Sequence, residues 1–187
     1  MNKKIIISLS FILNIILIGL IFLPEENIFF KSNRIEKTYE TTDEGRRVYV
    51  ETEFDYDGAP IYQKTVIDSE LFKEVYFSNN QVSEEKNYKN GQAHGYWILY
   101  DNNKNIKKTS RYENGSLREI LRYYSNGNIK ELSMPETDKI RLITRYYKNG
   151  NIESEGKMII SSNGNEAFYD RWIWYNSDGT IKKEKSF

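Results

Sequence analysis

Cysteine is absent from the 187 residues, histidine occurs once and proline three times. Without cysteine there is no disulfide frame, no thiol nucleophile and no lipidated thiol anchor. One histidine, His94, with no cysteine cannot supply the usual nitrogen–sulfur zinc set, so no metal is expected, and only a carboxylate site would be left. His94 follows Asn90-Gly91 and is expected to be a solvated loop residue. There is no phosphate loop, no nucleophile elbow and no glycine-rich nucleotide fingerprint, so no cofactor is expected. Nothing singles out two carboxylates facing each other across a cleft, as glycoside hydrolysis requires. These absences argue against an enzyme. Excess charge is missing too: 27 basic residues balance 27 acidic ones. Setting aside residues 1–23, which hold Lys3 and Lys4 but no acid, leaves 25 against 27. Nucleic acid is normally met by a basic surface, so it is not an expected partner. Finally, no long pattern of period 3.6 appears after residue 23, which disfavours a helical domain.

What the chain has in quantity is tyrosine, 15 in all. Tyr76, Tyr88, Tyr100, Tyr112 and Tyr124 follow one another at steps of 12 residues. Asn-Gly pairs recur as Asn90-Gly91, Asn114-Gly115, Asn126-Gly127 and Asn149-Gly150. Asn-Gly between β-prone runs signals a two-residue type I′ hairpin turn, because both central residues need positive φ. Such turns would set Tyr147 opposite Ile152, Tyr124 opposite Ile129 and Tyr112 opposite Leu117, with Phe77 opposite Val82 across Asn79-Asn80. Aromatic–aliphatic cross-strand pairs of this kind contribute roughly 0.2–1 kcal/mol each. The Tyr175–Ile181 copy is one residue longer, and a three-residue loop with Gly179 after Asp178 restores its pair. In the Tyr100–Ile106 copy Lys104 replaces that glycine, and a looser turn or one of another type is expected. Short turns between successive strands mean antiparallel pairing.

One unit carries a family resemblance. Tyr88, Asn90, Gly91, Gly95, Trp97 and Tyr100, within Lys86–Tyr100, are similar to the pattern of the MORN-variant repeat proteins, a family that includes the bacterial YwqK-type antitoxin-like group. The resemblance covers about residues 72–187; only this unit keeps the full Gly-x-Trp, and Met134–Ile140 interrupts the step. It implies an all-β fold, a single-layer twisted antiparallel meander of repeated hairpins. It implies no chemical reaction, and it suggests protein binding, including the neutralisation of a toxin.

Ile5–Leu23 is a run whose only polar members are Ser8, Ser10 and Asn14. As a helix it would be about 28 Å long, near the thickness of a hydrocarbon core. Lys3 and Lys4 precede it and Pro24-Glu25-Glu26 close it, the layout of an export signal or signal anchor. An uncleaved transmembrane helix over residues 1–23 is favoured, since no small-x-small cleavage site follows; a cleaved signal, giving a secreted product, is the alternative. Lys31, Arg34 and Lys37 blunt the charge asymmetry, yet the basic head places the C-terminal domain outside the cytoplasm, at the cell membrane. Residues 24–46 are expected to form a polar stalk with at most a weak strand at Ile35–Thr41 and a turn at Asp43-Glu44-Gly45. Residues 47–187 are expected to form the hairpin domain. There Val48, Val50, Thr52 and Phe54 share a face, and the Asp57-Gly58 turn would set Phe54 opposite Ile61. Asp68–Leu71 is either a short helical turn or a loop, and Ser161–Glu166 a wider loop.

Neighbours on a strand point to opposite faces, so in Tyr123-Tyr124 and Tyr146-Tyr147 one ring can face out. Outward aromatics can form a platform for a peptide, a glycan or another sheet. The candidate partner-binding residues are therefore Trp97, Tyr100, Tyr123, Tyr146 and Trp172, weighed against the plainer reading that these rings cover backbone. Trp172 and Trp174 share a face and suit a core better than a platform. Glu84-Glu85, Glu119, Glu131, Glu153 and Glu155 are expected to form cross-strand ion pairs on a solvated face. The expected function is a membrane-tethered, non-catalytic repeat module binding another protein; the alternative is an envelope structural module touching glycan or lipid headgroups.

Overall fold

A computed structural model describes Ile5–Ser8 and residues 34–187. Every regular element in it is a strand, and the chain divides into two compact units, residues 1–81 and 82–187. The first holds β1 (Ile5–Ser8), β2 (Arg34–Thr41), β3 (Arg47–Phe54), β4 (Pro60–Ile67) and β5 (Glu70–Ser78). The second holds β6 (Gln81–Lys89) from its second residue on, β7 (Gln92–Ala93), β8 (Gly95–Tyr100), β9 (Ile106–Glu113), β10 (Ser116–Tyr123), β11 (Ile129–Pro135), β12 (Ile140–Tyr146), β13 (Ile152–Ile160), β14 (Glu166–Tyr175) and β15 (Ile181–Ser186). Within each unit neighbouring strands pair antiparallel, the meander that the tyrosine and Asn-Gly spacing implies; β7 pairs with β6 beside the main path. Among the described residues no helix is long and apolar enough to cross a membrane. Residues 9–23, the bulk of the run expected to be a transmembrane helix, lie outside the described residues, and Ile5–Ser8 pairs as a strand with β2. The sheet starts before residue 47: β2 pairs with β3 from Arg34–Phe54 to Thr41–Arg47.

The turns come in two kinds, and the difference sets the register. Asn90-Gly91 and Asn114-Gly115 both have two residues at positive φ, as a type I′ turn requires, and Tyr112 faces Leu117 as expected. Asp68-Ser69, at φ 50° and 71°, is a third such turn joining Ile67 to Glu70, neither helical nor a loose loop. Asn79 and Asn80 share this backbone conformation.

At Asn126-Gly127 and Asn149-Gly150 only the glycine has positive φ. There the amide of Gly150 donates to the Tyr147 carbonyl and that of Tyr147 to the Asn151 carbonyl, so the loop has three residues, Lys148-Asn149-Gly150. The register consequently moves by one: Tyr146, not Tyr147, faces Ile152, and Tyr123, not Tyr124, faces Ile129. Asp57-Gly58 behaves the same way and sets Phe54 opposite Pro60 rather than Ile61. Ser161–Asn165 also closes as this tight loop, not a wide one, and Gly45 and Gly179 complete the set, the last preserving the Tyr175–Ile181 pair. In four of these loops the Asn or Asp before the glycine accepts the amide two residues on, Asn126 from Asn128, Asn149 from Asn151, Asn163 from Asn165 and Asp178 from Thr180; in the Gly58 and Gly45 loops the acceptor is instead the first flanking residue, Asp55 and Thr42. That side-chain bond favours the longer loop. Lys104 adopts the glycine conformation, φ 67°, and its turn repeats the hydrogen bonds of the others. The turn is of the same type after all, with the strain placed on a lysine.

In the first unit Glu51 is buried between Lys37 and Lys64, each 2.8 Å away. Burial pushes its carboxyl up, but the hydrogen bonds from both lysines outweigh this and hold it below the usual carboxylate range. In the second unit the core is one row on one face. Register links Trp97, Ser110, Ile120, Ser133, Ile143 and Gly156 across six strands, large and small side chains alternating. Trp172, with no exposed surface, lies flat over Gly156 and packs against Ile143, Met158 and Trp174. A Cβ at Gly156 would stand 2.5 Å from the indole, so only glycine admits this contact.

Two outcomes test these assignments. Gly127→Val lowers thermal stability by about 1–2 kcal/mol, because a β-branched residue is strained at φ 85°, whereas Lys104→Gly is neutral or raises it by up to about 1 kcal/mol. An unchanged melting temperature for Gly127→Val would refute the turn assignment. Glu51 has a lowered folded pKa, so its contribution is complete above the usual carboxylate pKa of about 4.3 and disappears as pH falls through the folded value. Chemical denaturation of Glu51→Gln should therefore show lower stability at neutral pH and a smaller further loss on acidification than the parent.

Candidate functional site

Strand alternation in the second unit sends the candidate residues to different faces. Trp97 shares the face of the core row. Its ring lies 5.5 Å from Tyr88 and 4.6 Å from Tyr112, and its indole N–H donates to the Asn87 carbonyl. Trp172 is fully buried on that face and presents nothing to a partner, because its ring is what closes the core over Gly156. Tyr100, Tyr123 and Tyr146 lie on the opposite face, joined there by Tyr175. The structure thus brings three of the five together and removes both tryptophans to the other side.

The three follow one another at 23 residues. Each stands at the last strand position before a three-residue loop and faces an isoleucine: Tyr100–Ile106, Tyr123–Ile129, Tyr146–Ile152, and then Tyr175–Ile181. One residue past the isoleucine the register shifts again, at Lys107, Lys130, Glu153 and Lys182, so each hairpin carries a bulge at the same place. The hydroxyl of Tyr100 donates to Glu85 at 2.9 Å and that of Tyr175 to Glu155 at 2.7 Å; Tyr123 and Thr109 share a bond of 3.3 Å. Burial and the Glu85 bond push the Tyr100 hydroxyl up to about 12, so it is a neutral donor at physiological pH.

Behind this row runs a second one, in which Ile98, Thr109, Leu121, Leu132, Thr144, Glu155 and Ile173 are linked by register. The large apolar side chains that the unit leaves exposed collect on the same face. Ile106, Ile129, Ile152 and Ile181 lie there, with Tyr96, Met134, Leu142, Ile159 and Tyr169; only Phe168 and Phe187 lie opposite. Charges on this face are paired or few, as with Arg111 and Glu119. The ion pairs expected of the glutamates are found in part. Glu131 is gripped by Arg122 and Arg145, but on the core face, while Glu155 accepts a tyrosine hydroxyl instead.

Tyr124 and Tyr147 have another task. Each opens a loop and donates its hydroxyl, at 2.7 Å, to a carbonyl of the next hairpin, Tyr124 to Tyr146 and Tyr147 to Tyr175. Asn128 and Asn151 do the same toward Lys148 and Ser177. The turns at this end are thereby tied in a ladder. His94, between β7 and β8, is half-buried, not a solvated loop residue, and its Nδ1 is buried without a hydrogen-bond partner. Among the described residues no group of acidic or histidine side chains is placed to hold a metal.

The model of the MORN repeat variant matches residues 142–158. These span β12 from Leu142, the Asn149-Gly150 loop and β13 as far as Met158, so the match falls on one hairpin and not on the Tyr88–Tyr100 unit. No curated protein matches the chain. MORN repeats are often modules that bind protein or membrane lipid, and the family is generally non-catalytic.

The ladder makes a prediction of its own. Tyr147→Phe removes one hydroxyl bond without changing the ring, and amide exchange around Ser177–Thr180 should accelerate while the Ile143–Met158–Trp172 core keeps its protection. Unchanged exchange at that loop would mean the bond carries no load.

Proposed function

We propose that the chain is a non-catalytic binding module whose partner is another protein, engaged through the tyrosine–isoleucine face of the second unit. The observation that carries this is the segregation of exposed apolar side chains. A monomeric surface scatters them singly, whereas here nearly all stand on one side of one sheet. Tyrosine suits such a face because its ring supplies contact area at low entropic cost while its hydroxyl keeps a polar handle. Toxin neutralisation is one form that such binding takes in this reading. A tether through Ile5–Leu23, with the sheet outside the cytoplasm, is its other part. A spanning helix and the β1 pairing exclude one another over Ile5–Ser8, so fractionation of cells carrying an export-dependent reporter after Phe187 decides between them.

The test uses the full chain in cells with a photo-crosslinking residue at Ile152, and at Lys108 on the opposite face as control. A discrete protein adduct from Ile152, absent from Lys108 and lost when Ile106 and Ile129 are both changed to Lys, supports the reading. Adducts from neither position, together with sedimentation of the chain on cell-wall polymer or liposomes, would replace it by contact with glycan or lipid headgroups.

A further inference from the structure

The last strand of the second unit offers a different surface. Among the described residues β15 pairs with β14 along one side and with nothing along the other. A bare edge is a template for another strand, and proteins commonly blunt it with lysine. Here Lys182, Lys183 and Lys185 stand on β15, and among the described residues none of them has a carboxylate partner. The strand's own acid, Glu184, is held by Arg171 at 2.6 Å, which lowers its pKa and removes it from competition.

Lysines alone would read as protection. The edge also carries apolar groups, which a purely repellent strand would omit. Ile181 is 63% exposed on one face, and Phe187 is 49% exposed on the other, stacked on Phe168 at 4.9 Å with the Lys185 ammonium over its ring. The Lys183 ammonium lies over Trp174. The order along the core face of the edge is thus cation, cation, aromatic: Lys183, Lys185, Phe187. Antiparallel pairing of β15 with a second copy centred on Glu184 would set Lys183 against Lys185 and the acid against itself, which is unfavourable, whereas an acidic segment meets both lysines with opposite charge.

We propose that the β15 edge takes an acidic extended segment of a partner protein as an added antiparallel strand. Opposed side chains in such a pair meet directly, so the segment needs an apolar residue opposite Phe187 and acids two and four positions further on, opposite Lys185 and Lys183. An aliphatic residue near its far end covers Ile181. Backbone bonds supply the affinity and the two carboxylates fix direction and register. This site is separate from the tyrosine–isoleucine face and does not depend on it.

Fluorescence anisotropy of a labelled peptide of that pattern, with valine at its first position and glutamate at its third and fifth, tests the proposal on the full chain. The peptide should bind at physiological salt, and Lys183→Glu with Lys185→Glu should weaken it about tenfold. The same double variant should gain affinity for the peptide carrying lysine in place of glutamate. Methylating alternate backbone nitrogens of the peptide should abolish binding, since it leaves the charges and removes the donors. Equal binding of the methylated peptide, or an acidic peptide no better than one of scrambled order, would overturn the proposal. Should the double variant unfold, which circular dichroism reports, Lys183→Gln alone, expected to weaken the peptide about threefold, replaces it.

Discussion

One residue at positive φ at the end of each three-residue loop decides where every following side chain points. Because side chains alternate along a strand, a turn longer by one residue moves the whole return strand to the other face. The glycines at 127, 150 and 179, and Lys104 in the same role, therefore do more than reverse the chain. They put Tyr100, Tyr123, Tyr146 and Tyr175 on a common face with their isoleucines and leave Tyr124 and Tyr147 free to bond the next hairpin. The bulge past each isoleucine repeats the adjustment at the same position, so successive hairpins stay in phase.

A meander of this kind has little interior, and its stability is distributed. The buried apolar residues of the second unit are few, and small residues such as Ser110, Ser133, Ser154 and Gly156 let large neighbours lie over the backbone. Trp172 above Gly156 is the densest point. The first unit uses a different device, a carboxylate between two lysines, where pairing and not packing occupies the middle of the face. In both units the adjacency of strands does most of the binding of one element to the next, as in other repeat architectures.

The hairpin architecture of the described region was legible from tyrosine and Asn-Gly spacing alone, because alternation and turn chemistry are local. The turn type was not. Tyr-x-Asn-Gly admits a two-residue and a three-residue loop, and both occur: Asn114-Gly115 takes the first and Asn149-Gly150 the second. The 12-residue step was a true strand-plus-turn length, yet the period joining equivalent positions is 23, seen at Tyr100, Tyr123 and Tyr146. From the wrong loop length followed the wrong partner for Tyr147 and Tyr124. The tryptophans were harder still, since whether an aromatic covers backbone or faces out depends on what lies beneath it. For Trp172 the signal was present in Gly156, an isolated glycine inside a strand, which marks close approach of another group. For Lys104 the usual glycine signal was missing: a lysine occupies a glycine conformation in a loop held by Asp101, whose carboxylate accepts the amides of Asn103 and Asn105.

Among the described residues the ties between these hairpins run to the nearest neighbour: Tyr124 reaches β12, Tyr147 reaches β14, and Asn128 and Asn151 span one loop each. Load applied across the strands is therefore carried in series. The ladder is as strong as its weakest rung, and extra hairpins add length without adding strength.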